Sequence, residues 1–379
     1  MKKILYVTTV SRTINAFLIP HIEKLIDEGY KVDCACAIDL KVDERILSKG
    51  SNIFDIPFSR NPLHPKNIKA FRELRKIQEK NNYDIVHVHT PVASVYGRLL
   101  KIKFPKLKTI YTVHGFHFFE GASWINWVIY YPIERLMSRF TDVAITINSE
   151  DYKKAQHIGI KEVHNTNGVG LDLGYYNQSL YDKQKCREKF GLRQDDFVIV
   201  MIAEVNKNKN HEQMINAVEQ LVKQEKSVKV LCAGDGPLLN FIEEEIERRN
   251  LSEVIQMLGF RTDINEIISC ADVGLLMSYR EGLPRNIMEL MAFGKPVIGT
   301  NIRGIRDLID EGKNGYLVEF GDYMQTYYAL NTLMSDEELL GEMSECAFDR
   351  VKKYSVENVV GELLEVYGDE EMFACTSNG

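Results

Sequence analysis

The densest chemistry in the chain lies in one run of twenty residues, Tyr279-Arg280-Glu281-Gly282-Leu283-Pro284-Arg285-Asn286-Ile287-Met288-Glu289-Leu290-Met291-Ala292-Phe293-Gly294-Lys295-Pro296-Val297-Ile298. The apolar stretch 272–277 before it reads as a strand, which puts Glu281 in the loop at a strand's C-terminal end. Pro284 suits the first turn of a following helix, so Glu289 falls inside that helix. One carboxylate in the loop and one on the helix could accept hydrogen bonds from ligand hydroxyls. Unpaired N–H groups and the positive dipole end near Leu283–Asn286 suit a phosphate. By spacing alone, two glutamates eight residues apart say little, because most such pairs are solvated helix charges.

Two other places carry chemistry at predicted strand ends. Ala203-Glu204-Val205-Asn206-Lys207-Asn208-Lys209-Asn210-His211 offers two lysines as point cations for an anion, or an exposed charged loop. Tyr111-Thr112-Val113-His114-Gly115-Phe116-His117 offers His114 and His117, although a lone histidine is more often structural. In Asp84–Pro91, His87 and His89 share one side of a predicted strand, as cleft-wall or satisfied core residues. Several familiar signals are absent: there is no G-x-x-x-x-G-K-[ST] loop, no G-x-S-x-G elbow and no H-E-x-x-H site. Gly168, Gly170 and Gly174 are spaced one residue too widely for G-x-G-x-x-G and read as turns. No two aspartates flank a single residue, so no Asp-x-Asp metal pair exists, and no metal or cofactor is expected.

The elements that must hold these residues alternate along the chain. Predicted strands lie at 3–8, 31–38, 52–57, 84–89, 108–114 and 142–147, then at 197–203, 228–233, 254–258, 272–277, 296–300 and 316–318. Amphipathic stretches such as 67–80 and 211–224 lie between them. Nearly continuous apolar strands alternating with helices indicate parallel sheets covered on both faces. Twelve strands in two runs of six predict two doubly wound α/β domains, 1–170 and 171–354. A C-terminal helix over 355–367 is expected to pack back toward the first domain, with Thr376–Gly379 frayed. The segment 165–196, polar and turn-rich, reads as the linker. Ligands of open α/β sheets bind beyond the strands' carboxyl ends, so two such domains facing one another would enclose a cleft.

The 379 residues, 45% hydrophobic and 27% charged, exclude disordered and collagenous classes. Charge is split: residues 1–170 hold 25 Lys+Arg and 17 Asp+Glu (+8), residues 171–379 hold 22 and 37 (−15). Seven scattered cysteines without C-x-x-C read as reduced thiols of a cytosolic protein. The apolar run after Met1-Lys2-Lys3 is short and has no cleavage site, so it reads as a first strand. No stretch approaches the ~18 apolar residues of a membrane span.

The twenty-residue run resembles the signature of the family-4 retaining glycosyltransferases of GT-B fold, whose pattern is Glu, seven residues, Glu, matched by Glu281 and Glu289. Gly234-Asp235-Gly236-Pro237, Leu258-Gly259, Ala271-Asp272-Val273, residues 312–317 and Asn167-Gly168-Val169 are similar to further family segments in order and spacing. The resemblance implies two Rossmann-like domains facing across a cleft, with a nucleotide diphosphate sugar on the second. It implies that Glu289 holds the ribose hydroxyls, Glu281 the donor sugar, and backbone around Gly282, Leu283, Pro284 and Arg285 the sugar and diphosphate. Gly259 belongs to the same donor set. His114 matches a histidine close to the reacting sugar, and His117 could face the acceptor.

Lys209 matches the family's diphosphate lysine, but Glu204 stands where an arginine is usual. The loop resembles a polysaccharide-assembly branch reading Gly-Glu-Leu-Asn-x-Asn-Lys-Asn-His. Helix N-termini and Lys207 would then have to contribute more. The segment 9–15 takes the place of the family's glycine-rich first loop and carries Arg12 toward the acceptor side. Residues 60–108 hold 12 Lys+Arg against three acids, followed by the aromatic stretch with Trp124 and Trp127. That combination suits docking on an anionic membrane face, or else a solvated helix face beside a buried helix. The flanking motifs argue against nucleic acid.

The resulting expectation is a metal-independent retaining glycosyltransferase, peripheral on the cytoplasmic face of the membrane. It would move a hexosyl or N-acetylhexosaminyl group from a nucleotide sugar, UDP-linked, to a polyprenyl-linked saccharide in surface-polysaccharide assembly. The alternatives are a GT-B nucleotide-sugar epimerase or, from Glu204, a non-catalytic subunit of a transferase complex. Oligomeric state is left open.

Overall fold

The computed structural model describes residues 1–62, 64–224 and 226–368; the tail read as frayed lies outside them. The chain forms two compact units, one of Met1–Gly170 with the segment from Val356 onward, the other Leu171–Ser355.

In the first unit a parallel sheet runs in the order β3 (Ile53–Asp55), β2 (Lys31–Ala37), β1 (Lys3–Val10), β4 (Ile85–Val88), β5 (Lys108–Val113), β6 (Val143–Thr146), β7 (Glu162–Asn165). β1 is central, with Ile4 beside both Val32 and Ile85. β7 is a correction to the predicted six strands: Val143–Thr146 pairs with Glu162–Asn165 along its length. The short polar run Glu-Val-His-Asn hides its strand character because it is an edge whose outer side chains need no core. A second correction concerns residues 9–15, expected as a loop. β1 reaches Val10 and helical turns begin at once, over Ser11–Thr13 and Ile14–Leu18. The Asp39 carboxylate accepts from the Ser11 hydroxyl and the Arg12 amide, both at 3.0 Å, while Ile14 and Leu18 are buried.

The sheet is covered on both faces, as continuous apolar strands require. One apolar cluster gathers Leu74, Val92, Ala93 and Phe118 against Val86 and Val113. The other gathers Ile22 and Leu25 with Leu363, Val366 and Tyr367 of the C-terminal helix Val356–Tyr367. The helices Lys66–Asn81, Pro91–Leu99 and Trp124–Met137 belong to the first face.

The second unit's parallel sheet runs β10 (Ile255–Met257), β9 (Val228–Ala233), β8 (Phe197–Ile202), β11 (Val273–Leu276), β12 (Val297–Thr300), β13 (Gly315–Val318). β8 lies between β9 and β11. The segment 165–196 is not a mere linker. It contains the helix Lys183–Lys189, capped by Asp182, whose carboxylate accepts from the amides of Gln184 and Lys185. Leu171, Cys186 and Leu192 are buried in the second core. Its polar composition reflects the helix's solvent face, and few apolar residues suffice to dock it.

Candidate active site

Two clusters of functional side chains emerge, one in each unit. In the second, Glu281, Gly282, Leu283 and Pro284 follow β11 and enter the helix Arg285–Ala292. Pro284 is the residue at the N-cap, one place before the first turn. Lys209 comes from the loop after β8, and its Nζ lies 2.5 Å from Glu281 Oε1. Both side chains are mostly buried, so the pair is shielded from water and its Coulomb attraction exceeds that of a surface pair.

Asparagines stitch these loops together. The Asn208 carbonyl accepts from the Tyr279 amide at 2.7 Å, and its side chain donates to the Arg280 carbonyl at 3.1 Å. Asn206 Oδ1 accepts from the Lys209 amide at 3.1 Å. Asn286 Nδ2 donates to the Ile202 carbonyl at the end of β8, at 2.6 Å. Arg303, after β12, donates from Nε to the Glu281 carbonyl at 3.1 Å. Beside it Gly304 has φ of 79°, and a Cβ there would lie 2.2 Å from the Gly282 oxygen. The loop can sit this low only because position 304 has no side chain.

Glu289 accepts from the Tyr176 hydroxyl at 2.7 Å and from Arg285 Nε at 3.1 Å. Burial raises its carboxyl above the usual range, against the opposing pull of Tyr176 and Arg285. Arg285 is thus paired with Glu289 here. Gly236 of the Gly-Asp-Gly-Pro turn lies against the loop after β8; a Cβ on it would be 2.5 Å from the Val205 oxygen. The Gly259 carbonyl accepts from the Gly234 amide at 2.8 Å, so Gly259 braces that turn. Leu283 packs against the second core. Glu204 is exposed, and Lys207 lines a hollow of about 410 Å³ with Leu238 and Phe241, apart from the Lys209–Glu281 pair.

The first unit's cluster is made of imidazoles. His89 Nδ1 and His114 Nε2 are 3.2 Å apart. His87 bonds Thr112 Oγ1 at 2.7 Å through Nε2 and the Tyr367 hydroxyl through Nδ1. His21 donates from Nε2 to the Val169 carbonyl at 2.7 Å. All four line one small cavity together with Gly168. Burial first, and neighbouring histidines second, drive His114 down to about 4 and His87 and His89 well below the usual value. His21 is pushed to about 4 by burial, against its carbonyl bond. The cluster is therefore neutral at pH 7.

The remaining candidates divide. Arg12 is exposed, 3.5 Å from Asp39. His117 stacks on Tyr130, with centroids 4.5 Å apart. On the helix Trp124–Met137 the two tryptophans are neighbours one turn apart that differ in degree of exposure, Trp127 being 39% exposed. Trp124 is 72% exposed in an outward stripe with Ile125, Val128, Ile129, Ile133 and Leu136. Trp127 packs against Phe118 and Tyr131. Sequence reasoning missed Tyr176, Arg303, His21 and Tyr367. Only the Arg285–Glu289 pair carried a spacing signal, four residues on one helix face.

The Glycosyl transferase 4-like family model matches residues 3–149, and the model for Glycosyl transferases group 1 matches residues 182–350. EpsD of Bacillus subtilis (strain 168), a glycosyltransferase by assignment, is 35% identical over 377 residues, 97% of this chain and 96% of its own. The UDP-Gal:alpha-D-GlcNAc-diphosphoundecaprenol alpha-1,3-galactosyltransferase of Escherichia coli is 27% identical, over 92% of this chain and 91% of its own. Anabaena HepE, crystallised with UDP-glucose, superposes with a TM-score of 0.79 at 20% identity, covering 97% of this chain and 99% of its own. The chain belongs to the family-4 glycosyltransferases of GT-B fold.

Proposed function

We propose that this glycosyltransferase moves a sugar from a UDP-sugar, with retention, to a polyprenyl-linked saccharide at the cytoplasmic membrane face. The observation that carries the donor half is the set Lys209, Glu281 and Glu289 gathered around the N-terminus of Arg285–Ala292. Glu289 would take the ribose hydroxyls, exchanging its bonds from Tyr176 and Arg285 for bonds from the ligand. Glu281 and the backbone at Gly282–Pro284 would hold the sugar. Lys209 and the helix N-terminus would neutralise charge on the departing diphosphate. The acceptor hydroxyl attacks from the leaving group's face, and a phosphate oxygen takes its proton. His114 contributes a neutral imidazole to a sugar hydroxyl. No metal enters this scheme.

The donor and acceptor classes also draw support from the E. coli relative, whose name states UDP-galactose and a diphosphoundecaprenol acceptor. Membrane docking is supported by the outward apolar stripe around Trp124, in the same layer as the helix Lys66–Asn81 with its exposed Lys66, Lys69, Arg72, Arg75, Lys76 and Lys80. Among the described residues no helix is long and apolar enough to cross a membrane.

A panel of radiolabelled nucleotide sugars with membrane extracts and EDTA tests the whole reading. Label from a UDP-sugar should enter the lipid fraction, and Lys209→Ala should slow its entry about 10²–10³-fold. Label from no UDP-sugar, or only with a divalent ion, would overturn donor or metal independence respectively. Sedimentation with phosphatidylglycerol vesicles tests docking: Trp124→Ala should weaken it at least several-fold, and Trp127→Phe should not. Undiminished binding of Trp124→Ala would remove the stripe from the reading.

A further inference from the structure

His89 is 1% exposed, its ring stacked on Tyr6 with centroids 5.2 Å apart. Its Nδ1 meets His114 Nε2 at 3.2 Å, while its own Nε2 is sealed from solvent with no partner among the described residues. Both rings are neutral at pH 7, so each carries one proton, and only two arrangements allow a bond between them. If His114 donates from Nε2, the His89 proton must sit on Nε2, a buried N–H with nothing to receive it. If His89 donates from Nδ1, only a buried lone pair goes unfilled. Buried N–H groups without acceptors are rarer than unfilled lone pairs, and stranding one forfeits its full solvation. The adjoining cavity, about 10 Å³, is at the lower limit for a single water, so it offers little to receive that proton. The second arrangement is the one the geometry supports.

We infer that His89 is a positioning residue that fixes His114 as the Nδ1–H tautomer, so that His114 meets its ligand as a hydrogen-bond donor. No described residue bonds His114 Nδ1, and that atom, unlike His89 Nε2, is not sealed from solvent. A donor there suits a sugar hydroxyl oxygen. The inference rests on the proposed role of His114 toward the sugar.

The test reads the tautomer first, in full-length protein carrying ¹⁵N-histidine at pH 7, with His114 signals assigned by their loss in His114→Gln. Protonated Nδ1 and a pyridine-type Nε2 are expected; protonated Nε2 overturns the inference. Activity follows in two near-isosteric variants. His89→Asn can still donate at the Nδ1 position and should keep the tautomer and at least a third of kcat. His89→Asp can only accept there, and should reverse the tautomer and lower kcat at least ten-fold with UDP affinity unchanged. Equal kcat in the two variants overturns the positioning role, and if neither folds the wild-type tautomer decides. Unchanged transfer in His114→Ala would instead overturn the proposed role of His114; the two failures are distinct because the tautomer is read without substrate.

Discussion

The two clusters solve the problem of enclosed polar groups in opposite ways. In the second unit, cations and carboxylates neutralise one another, Lys209 with Glu281 and Arg285 with Glu289. In the first, four histidines are kept uncharged and bond to one another, to a threonine, a tyrosine and a carbonyl. Paired charges can exchange partners when an ionic ligand arrives, at modest net cost. A neutral imidazole network has no charge to trade, so it selects ligands by donor and acceptor direction alone. The division suits the proposed substrates, a donor diphosphate in one place and uncharged hydroxyls in the other.

The largest effect should come from breaking the charged side. Lys209→Ala should lower kcat about 10²–10³-fold in a transfer assay, the scale for removing one preorganised stabilising group. A loss under five-fold would mean that the pair holds structure and does not serve the diphosphate. Acid should separate the two units next. A histidine of ordinary value 6.5 that is held near 4 when folded binds its proton only in the unfolded chain between those values. Its stabilising contribution is full above 6.5 and is lost as pH falls toward 4. His21 alone implies about 2 kcal/mol lost by pH 5, and the first unit holds four such rings. The second unit has a single histidine, His211, also shifted down, by burial and the Lys209 charge. Hydrogen exchange at pH 7 and pH 5 should show the first unit loosening first; the reverse order would erase the contrast.

A smaller effect belongs to Tyr367→Phe, which strips His87 Nδ1 of its partner inside the first core. Urea unfolding should show about 1–3 kcal/mol lost, with UDP binding unchanged. The smallest is Glu289→Gln, expected to weaken UDP binding roughly ten-fold by calorimetry, about 1.4 kcal/mol. Weakening by Tyr367→Phe as well would show that the units are not energetically separate in this respect.

The same contrast governs what the sequence could reveal. The charged cluster is legible because Glu281, Arg285 and Glu289 lie within one loop and one helix turn, where spacing encodes geometry. Lys209 was readable from its own loop, but its partner was not, since 72 positions separate it from Glu281. Tyr176 lay in a stretch whose polar composition suggested only a linker. The imidazole network draws on residues 21, 87, 89, 114 and 367, and no local pattern connects them. The strands showed well where apolar runs marked buried cores, and β7 failed because an edge strand needs no such run. Trp124 and Trp127 looked alike in a list of aromatics. Three positions apart they are neighbours on the helix, yet Trp124 is 72% exposed while Trp127, at 39%, also rests on Phe118 and Tyr131.

The C-terminal helix has a consequence for synthesis. Tyr367, which closes on His87 and Tyr6, is encoded 280 and 361 positions after them. At roughly 5–20 residues per second, the ribosome spends roughly 10–40 s making Leu171–Ser355 before that helix emerges. Throughout that interval the face awaiting Leu363, Val366 and Tyr367 is uncovered, and the second unit's chain is complete by its end. The half that is made first is therefore the half that is finished last.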